Sequence, residues 1–444
     1  MPRRMLIGMS IRGLGYHPAA WRHPDVPADG TLRFQHYARS AVAAEQGKCD
    51  LVFFADGIGI RERDVPAGSL ARMGYELFEM EPMTLLPALA VVTRHIGLVT
   101  TASTTYNEPY NLARKFATLD WISNGRSGWN VVTSWSEAEA LNFGREAQLD
   151  YDTRYARAAE FVDVVKGLWD SWEDDALVLD KAGGRFFDEA KLHALDHAGR
   201  FFKVKGPLNM ARPPQGHPVI VQAGASEPGR ELAAATADLV YAIHRTKAEG
   251  QAFYADIKRR MPRYGREPDQ LKILPAVRPV VAATRAEAQA KLDQLQALLD
   301  PLVGLNRLTN AFGDLSGHPL DSPVPIPDQS AQGIKSISLG LIEHVRRHRP
   351  TIRQLYEEVA GKGGFCLVGT PADIADVMQD WLESEACDGF NITPTHLPAG
   401  CEDFVALLAP ELQRRGLMQR EYGEGRTLRE RLGLQRPANR HARA

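Results

Sequence analysis

The sequence predicts an α/β protein that folds as a TIM-like (β/α)8 barrel. Short apolar, β-branched runs alternate along the chain with longer segments of helical periodicity, and eight such runs can be counted. The runs are apolar throughout rather than alternately polar, which indicates a parallel sheet covered by helices on its faces. Eight strand–helix units favour a closed barrel over an open doubly wound sheet.

The strands follow from the apolar runs, taken in chain order. The first is MLIGMSI, and the second, LVFFA, ends at an Asp-Gly pair. The predicted strands span residues 5–11, 51–55, 96–103, 129–134, 219–223, 239–243, 273–282 and 389–393. Apolar residues at helical spacing predict a helix after every strand but the last. The predicted helices span residues 34–46, 84–93, 112–122, 155–169, 230–236, 248–261 and 286–299, and another over 371–385 precedes the last strand.

Residues 1–420 are expected to form this single barrel, which carries insertions. A bare barrel needs about 250 residues, and we place the extra length at about 172–218 and 301–365. The second insertion contains the Pro-rich stretch DSPVPIPDQS, which excludes regular helix or central strand. Long segments of this kind are often active-site lids. The Arg-rich tail, residues 421–444, is expected to be solvated or packed at an interface, and a partner-binding arm is the alternative.

Composition excludes several classes of function. The net charge of -2 gives no reason to expect a nucleic acid or an anionic membrane as partner. The four cysteines form no CxxC pair and have no zinc-type spacing, so we expect reduced thiols in a cytoplasmic protein and no metal site. No apolar run is long enough for a signal peptide or a membrane span.

The predicted C-terminal strand ends are rich in hydroxyl, amide and glycine groups, and active sites of this fold lie there. Asp56 ends the second strand, Thr101 and Ser103 lie at the end of the third, and Asn130 lies in the fourth. Paired carboxylates for glycoside hydrolysis and a His/Asp cluster for metal-dependent hydrolysis are not found. The polar groups suit hydrogen bonding to a cofactor that supplies the chemistry itself.

Two segments favour a phosphorylated cofactor. Residues 224–229, GASEPG, follow a strand and open a helix, so backbone N–H groups and the Ser226 hydroxyl could hold a phosphate at the positive helix end. Tyr151 and Tyr155 share a helical face, and two adjacent phenols can donate to one phosphate. The alternatives are that Ser226 is only a helix cap and that the tyrosines only pack at a helix start, where Asp152 could be the cap.

Long stretches of the sequence resemble the bacterial luciferase-like flavin monooxygenases. The matching segments are residues 53–57 (FFADG), 101–126, 125–144 (GRSGWNVVTSWSEAEALNFG), 151–177 and 193–235. They resemble specifically the branch that contains the large components of nitrilotriacetate monooxygenase, dibenzothiophene-sulfone monooxygenase and pristinamycin synthase. The resemblance runs in order through residues 5 to 420, which makes chance agreement remote.

The resemblance implies a two-component monooxygenase. Its cofactor is FMN, delivered as FMNH2 by a separate NAD(P)H:FMN reductase, and its co-substrate is O2. A flavin C4a-hydroperoxide then transfers one oxygen atom to a small organic substrate that the sequence does not identify. A homodimer or homotetramer is expected from the same resemblance.

The resemblance also implies which residues contact the cofactor. Asp56 is expected near the flavin, and Thr101 and Ser103 line its ring. The phosphate is expected to contact a second group, comprising Tyr151, Tyr155, Ala225 and Ser226. Relatives often have His at the position of Tyr151, so this chain departs from the family pattern there.

His17 and Asn130 are the candidate catalytic residues. His17 follows the first strand, where it could act as a general acid or base, or simply bond to loop backbone. Asn130 could contact the flavin or fix the barrel interior. Alternative functions are a non-catalytic flavin-binding protein and a flavin- or deazaflavin-dependent reductase of the same superfamily.

Overall fold

The computed structural model describes residues 3–60, 63–74, 77–326, 335–423 and 426–442. The strands are β1 Leu6–Ser10, β2 Leu51–Phe54, β3 Gly97–Ser103, β4 Ser127–Val132, β5 Leu177–Asp180, β6 Arg185–Phe187, β7 His197–Ala198, β8 Lys203–Val204, β9 Val219–Gln222, β10 Leu239–Ala242, β11 Lys272–Val281, β12 Cys366–Gly369 and β13 Gly389–Ile392. The helices are α1 Phe34–Gln46, α2 Pro82–Val92, α3 Pro109–Ile122, α4 Glu137–Asn142, α5 Tyr151–Trp169, α6 Glu227–Thr236, α7 Lys247–Arg260, α8 Arg285–Ala297, α9 Pro301–Asn306, α10 Thr309–Phe312, α11 Lys335–His348, α12 Ile352–Glu357, α13 Pro371–Glu383, α14 Ala399–Asp403, α15 Ala409–Arg414 and α16 Leu428–Arg431.

Eight parallel strands close into a barrel, which confirms the predicted fold class. Their order around the barrel is β1, β2, β3, β4, β9, β10, β11 and β13, and β13 returns to pair with β1. These are the eight runs that the sequence predicts as strands, with ends that shift by a few residues. Their outward-facing apolar residues pack against the surrounding helices, which is why each run is apolar on both faces.

The sheet of the barrel also includes β12, which lies outside the closed ring and was not predicted. The lower part of β11 pairs with β10 and β13, whereas its upper part, from Arg278 to Val281, pairs with β12 in parallel. The four residues CLVG of β12 directly follow the second insertion. A run so short gives no periodicity from which to distinguish a strand from a loop.

The C-terminal tail fills the barrel at the N-terminal ends of the strands. Leu428, Leu432 and Leu434 are buried there. They share an apolar cluster with the inward-facing residues Leu6, Leu51, Val99, Val219, Leu239 and Leu274. Arg429, next to Leu428, donates two hydrogen bonds to the buried Asp238 carboxylate. Residues 428–434 of the predicted tail are therefore packed into the barrel floor.

Both segments predicted as insertions lie outside the ring of eight strands. Segment 172–218 forms the hairpins β5–β6 and β7–β8 on the flank of the barrel. The segment around 301–365 contains α9 to α12, which form a separate apolar core with Ala19 and Met73 from the loops after β1 and β2. Residues 327–334 of this predicted lid lie outside the described residues. No helix within the described ranges is long and apolar enough to cross a membrane.

Candidate active site

The barrel interior becomes polar towards the C-terminal ends of the strands. Side-chain alternation directs Ser10, Thr101, Asn130, Tyr241 and Asn391 inwards. The Asn130 Nδ2 group donates to Thr101 Oγ1 at 2.8 Å. Asn130 Oδ1, Asn391 Oδ1 and the Tyr241 hydroxyl are buried, and none has a hydrogen-bond partner within the described part of the chain. Buried polar atoms of this kind are normally satisfied by a ligand or ordered water.

A hydrogen-bonded chain links the end of β3 to the segment after β4. Ser103 Oγ and Ser134 Oγ share a hydrogen bond of 2.8 Å, and Ser103 Oγ also accepts from Thr105 N at 3.1 Å. Ser134 has φ 47°, in the left-handed region that residues with a side chain rarely adopt. Its carbonyl oxygen accepts a hydrogen bond from Arg154 Nη1. Such locally strained backbone, fixed on two sides, is concentrated at functional sites.

A cradle of hydroxyl groups lies where α5 meets the start of α6. The Tyr155 and Ser226 hydroxyls are 3.2 Å apart, and the rings of Tyr151 and Tyr155 are 5.0 Å apart. Ser226 caps α6 by accepting from Gly229 N at 3.4 Å. Burial raises the pKa of Tyr151, and the nearby Ser226 hydroxyl partly offsets this, so the phenol stays a donor at neutral pH. Ser226 therefore both caps the helix and faces the tyrosines.

The space beside this cradle stays open because Gly224 has no side chain. A Cβ atom at Gly224 would lie 2.9 Å from Gly229 Cα and 3.5 Å from the Tyr155 hydroxyl. The strand-to-helix turn therefore requires glycine, and a side chain there would enter the space beside Tyr155. Ala225 is exposed next to Ser226, and its carbonyl accepts from Arg230 Nε at 2.8 Å.

Helix α5 starts one turn earlier than predicted, which moves Tyr151 into its first turn. Its cap is Asp150, whose side chain accepts from Thr153 N at 2.9 Å, rather than Asp152. An α-helical spacing of four residues then holds Tyr151 and Tyr155 on one face, as the sequence predicts.

His17 is placed in a buried cluster behind the barrel mouth. Its side chain is 1% exposed, and its Nδ1 atom accepts from Ala19 N at 3.1 Å. Burial, assisted by the nearby Arg278 guanidinium, lowers the pKa of His17 to about 3. A general acid or base works best with a pKa near the working pH, so this environment favours the loop-bonding interpretation. The catalytic role of His17 stays a prediction. Asp56 lies two residues after the end of β2 and is half-buried.

These features fit a phosphorylated flavin. The hydroxyl cradle at the N-terminus of α6 suits a phosphate. The unsatisfied amide and phenol oxygens of the upper barrel suit a ring with polar edges. Within the described ranges, no group of three or more His, Cys, Asp and Glu side chains is placed to hold a metal ion.

Comparison with known families identifies the class. The family model described as luciferase-like monooxygenase matches residues 15–387. The match covers most of the chain, so the chain belongs to the luciferase-like monooxygenases, and it is an enzyme. This confirms the family predicted from the sequence.

Several relatives match over nearly their full length. The chain is 47% identical to N-acetyl-S-(2-succino)cysteine monooxygenase of Bacillus subtilis (strain 168), over 99% of each chain. It is 48% identical to nitrilotriacetate monooxygenase component A of Aminobacter aminovorans, over 98% of each. Dibenzothiophene-sulfone monooxygenase of Rhodococcus erythropolis is 41% identical, over 94% of this chain and 93% of that one.

Solved structures of related enzymes have the same fold. Long-chain alkane monooxygenase superposes with a TM-score of 0.83 at 34% identity, over 98% of this chain and 96% of that one. EDTA monooxygenase from Chelativorans sp. BNC1 has a TM-score of 0.79 at 34% identity, over 98% and 100%. F420-dependent secondary alcohol dehydrogenase is only 14% identical, which shows the fold alone.

Sequence reasoning missed some residues that the structure brings to the site. Arg154 lies within the YDTRY motif, in which the two tyrosines were predicted as site residues and the arginine was not. Ser134 was predicted only as a strand end, and Tyr241 only as part of an apolar run. Tyr241 could have been found from the sequence, because a tyrosine near the end of a predicted strand can face the barrel interior. The sequence around Ser134 does not indicate its positive φ.

Proposed function

We propose that this chain is the oxygenating component of a two-component system that uses reduced FMN and O2. The observation that carries the proposal is the cradle formed by Tyr151, Tyr155 and Ser226 at the start of α6, where the Tyr155 and Ser226 hydroxyls are 3.2 Å apart. Family membership supports the same chemistry. One related structure, of riboflavin lyase at 30% identity, contains a modified FMN.

In this proposal the chain binds the cofactor and excludes water. Tyr155 and Ser226, with Tyr151 and the backbone at Ala225, hold the phosphate, and Asp56, Thr101 and Ser103 lie on the ring side. Reduced FMN supplies the electrons with which one atom of O2 enters the substrate and the other leaves as water. Asn130, fixed by its bond to Thr101, keeps its buried Oδ1 atom available to a ligand.

The helical insertion is the proposed lid. It shares its core with residues of the loops that follow β1 and β2, so it borders the barrel mouth. A closed, dry mouth favours oxygen transfer to the substrate over release of H2O2.

A separate NAD(P)H:FMN reductase is the proposed partner. The name of the nitrilotriacetate relative describes it as one component of its enzyme. The pristinamycin IIA synthase relative, 43% identical, is likewise named as one of the subunits of its synthase. Relatives that work as one part of a larger system support a partner for this chain as well. The homodimer or homotetramer stays a prediction.

The proposed substrates are polycarboxylates built on a sulfur or nitrogen atom. The names of the relatives at 47% and 48% identity specify such compounds, N-acetyl-S-(2-succino)cysteine and nitrilotriacetate. Arginines at strand ends suit carboxylates. Arg278 lies in the upper part of β11, where it donates to the carbonyls of Gly361 and Tyr16. Arg12 follows β1 and pairs with Glu79 at 2.9 Å. Arg61, another candidate, lies outside the described residues.

The experiment reconstitutes the protein with an NAD(P)H:FMN reductase under ¹⁸O2. Each of these two compounds is supplied in turn, with dibenzothiophene sulfone as the apolar comparison. We expect O2-dependent turnover of at least one polycarboxylate, with one labelled oxygen atom incorporated. Turnover of the sulfone alone would contradict the substrate class. FMN binding with no O2 consumption by the reduced complex, and no oxygen incorporation into any compound, would contradict the proposed oxygenating role.

A further inference from the structure

The helical insertion returns to the barrel through a short segment, residues 358–364, which we call the return arm. On one side, Ala360 is buried in the apolar core of the insertion. On the other side, Phe365 packs against the barrel core, and its ring centre lies 4.4 Å from that of Trp381 on α13. The insertion and the barrel are therefore two packed bodies here, and residues 361–364 connect them.

Two consecutive glycines lie in this connection. Gly363 has φ 24° and Gly364 has φ 86°, and both values lie in the region that residues with a side chain rarely adopt. Both glycines are exposed, and the nearest described atom to a Cβ placed on Gly364 would be Ile243 Cγ2, at 3.7 Å. Hinges between packed bodies are a few residues that absorb changes in φ and ψ. Gly363 and Gly364 have the position and the conformational freedom of such a hinge.

Arg278 of β11 contacts both sides of this connection. Its backbone N–H donates to Phe365 O at 2.8 Å, on the barrel side. Its side chain is buried, and Nη1 donates to Gly361 O at 3.0 Å, on the side of the insertion. The Nη2 group donates to Tyr16 O, in the loop after β1, at 3.3 Å. One guanidinium therefore joins the return arm to the barrel mouth.

The strand β12 explains how Arg278 reaches this position. In the upper part of β11, Ala276 and Val277 still pair with β13, whereas from Arg278 onwards the strand pairs with β12, beginning at Cys366. A strand that extended beyond the ring without a partner would leave backbone groups unpaired. The pairing with β12 therefore stabilises the extension of β11 that carries Arg278 to the return arm.

We propose that Gly363 and Gly364 form the hinge of the lid, and that Arg278 is the positioning residue that holds the return arm against the barrel mouth. This inference rests on the proposed function, because it takes the helical insertion as the lid. A hydrogen bond that is exchanged for one to water changes the free energy little, so the arm can leave Arg278 reversibly. Two roles compete with this one for Arg278, recognition of a substrate carboxylate and general support of the fold.

Hydrogen–deuterium exchange of the full-length, ligand-free protein tests the role of Arg278. In Arg278→Gln we expect peptides that cover residues 358–366 to exchange about tenfold faster, because the arm loses a hydrogen bond from a charged group. Peptides that cover residues 428–434, in the barrel floor, should be unchanged. Arg278→Lys should give a smaller increase, because it keeps the charge without the planar fork, and it carries the test if Arg278→Gln does not fold.

The competing roles predict different exchange. An arginine that only binds substrate would leave exchange at 358–366 unchanged in the ligand-free protein. An arginine that only supports the fold would raise exchange at 358–366 and at 428–434 alike. Either result would overturn the role of Arg278 as a positioning residue.

Gly364→Ala tests the hinge, and Gly265→Ala is its matched control. Gly265 has φ 65° and ends the turn that follows α7, with no described atom within 4 Å of a Cβ placed there. Alanine is similarly disfavoured at both positions, but only Gly364 lies between the insertion and the barrel. Strain at Gly364 should favour the open lid and increase H2O2 release about fivefold when bound reduced FMN is mixed with O2. In Gly265→Ala the release should stay within about twofold of the unmodified protein.

The outcomes separate the inference from the function on which it rests. A protein that does not bind FMN would overturn the proposed function, whereas exchange in the ligand-free protein would still decide the role of Arg278. A protein that binds FMN, with the same H2O2 release in Gly364→Ala as in Gly265→Ala, would overturn the hinge and leave the cofactor proposal standing. Faster exchange confined to residues 358–366, with faster H2O2 release in Gly364→Ala alone, supports the inference.

Discussion

At the scale of single residues, burial holds the pKa of two histidines at the barrel mouth well below the value that a histidine has in water. His17 and His396 are both buried, and burial lowers the pKa of His17 to about 3 and that of His396 to about 4. His396 shares a hydrogen bond of 3.0 Å with the Thr395 hydroxyl and packs 4.4 Å from the ring centre of His23. These contacts hold neutral imidazoles, which fix the loops after β1 and β13.

The pH dependence of stability tests this description. Each lowered pKa means that the unfolded chain binds a proton near pH 6.5 while the folded protein does not, so stability is lost as the pH falls below that value. Between pH 6.5 and 5, His17 should cost about 2 kcal/mol of unfolding free energy. His17→Asn keeps an acceptor for Ala19 N and cannot be protonated. Urea unfolding at both pH values should show a smaller pH effect in this variant; an equal effect would contradict the assignment.

At this scale the sequence predicted residue types better than their contacts. Ser103 ends β3 and Ser226 caps α6, which are positions that hydroxyl side chains often occupy. Tyr155 lies in the second turn of α5, and the structure brings its hydroxyl to that of Ser226. The position of the Arg154 side chain depends on where Ser134 O points. That direction follows from a positive φ, which no local pattern reveals.

At the scale of elements, the proposed lid is joined to the loop after β2 by Asn306. Its side chain is 5% exposed, and Nδ2 donates to Arg63 O at 2.7 Å, to Val65 O at 3.0 Å and to Ser69 Oγ at 3.0 Å. Thr309 adds a hydrogen bond to Val65 O at 3.1 Å. Since Asp56 lies near the start of this loop, movement of the insertion should be transmitted to the barrel mouth.

Asn306→Ala tests this connection. The loss of buried hydrogen bonds should lower the unfolding free energy by about 1 to 3 kcal/mol. A looser lid should also accelerate the release of H2O2 when bound reduced FMN is mixed with O2 in a stopped-flow instrument. Gln289→Ala is the control, because Gln289 is exposed on α8 and its side chain bonds to Asp293 of the same helix. An unchanged H2O2 rate in a destabilised Asn306→Ala protein would show that the insertion is not the lid.

Elements could be predicted where their pattern is long. The eight barrel strands follow from continuous apolar runs, and α5 from its repeating Phe161, Val164 and Leu168. The strand β12 was missed because it has only four residues. Helices α9 to α12 of the proposed lid were not predicted. Three of them, α9, α10 and α12, have six residues or fewer, which is too short for a helical period to show in the sequence.

At the scale of the whole molecule, the two ends of the barrel have opposite character. The floor is apolar and is filled by Leu428, Leu432 and Leu434 of the tail. The mouth is polar and retains buried atoms without partners in the described structure, such as Asn130 Oδ1 and Asn391 Oδ1. The burial of the tail could not be predicted from the sequence, because its leucines stand singly among arginines and are buried only once the barrel has formed. This asymmetry stabilises one end and leaves the other for a ligand.

The central claim is that this mouth binds reduced FMN for reaction with O2. The most direct measurement is an anaerobic titration with oxidised and reduced FMN, followed by rapid mixing of the complex with O2. We expect tighter binding of the reduced form, and O2 consumption that follows the amount of complex. Equal binding of both redox forms, with a complex that is inert towards O2, would contradict the account.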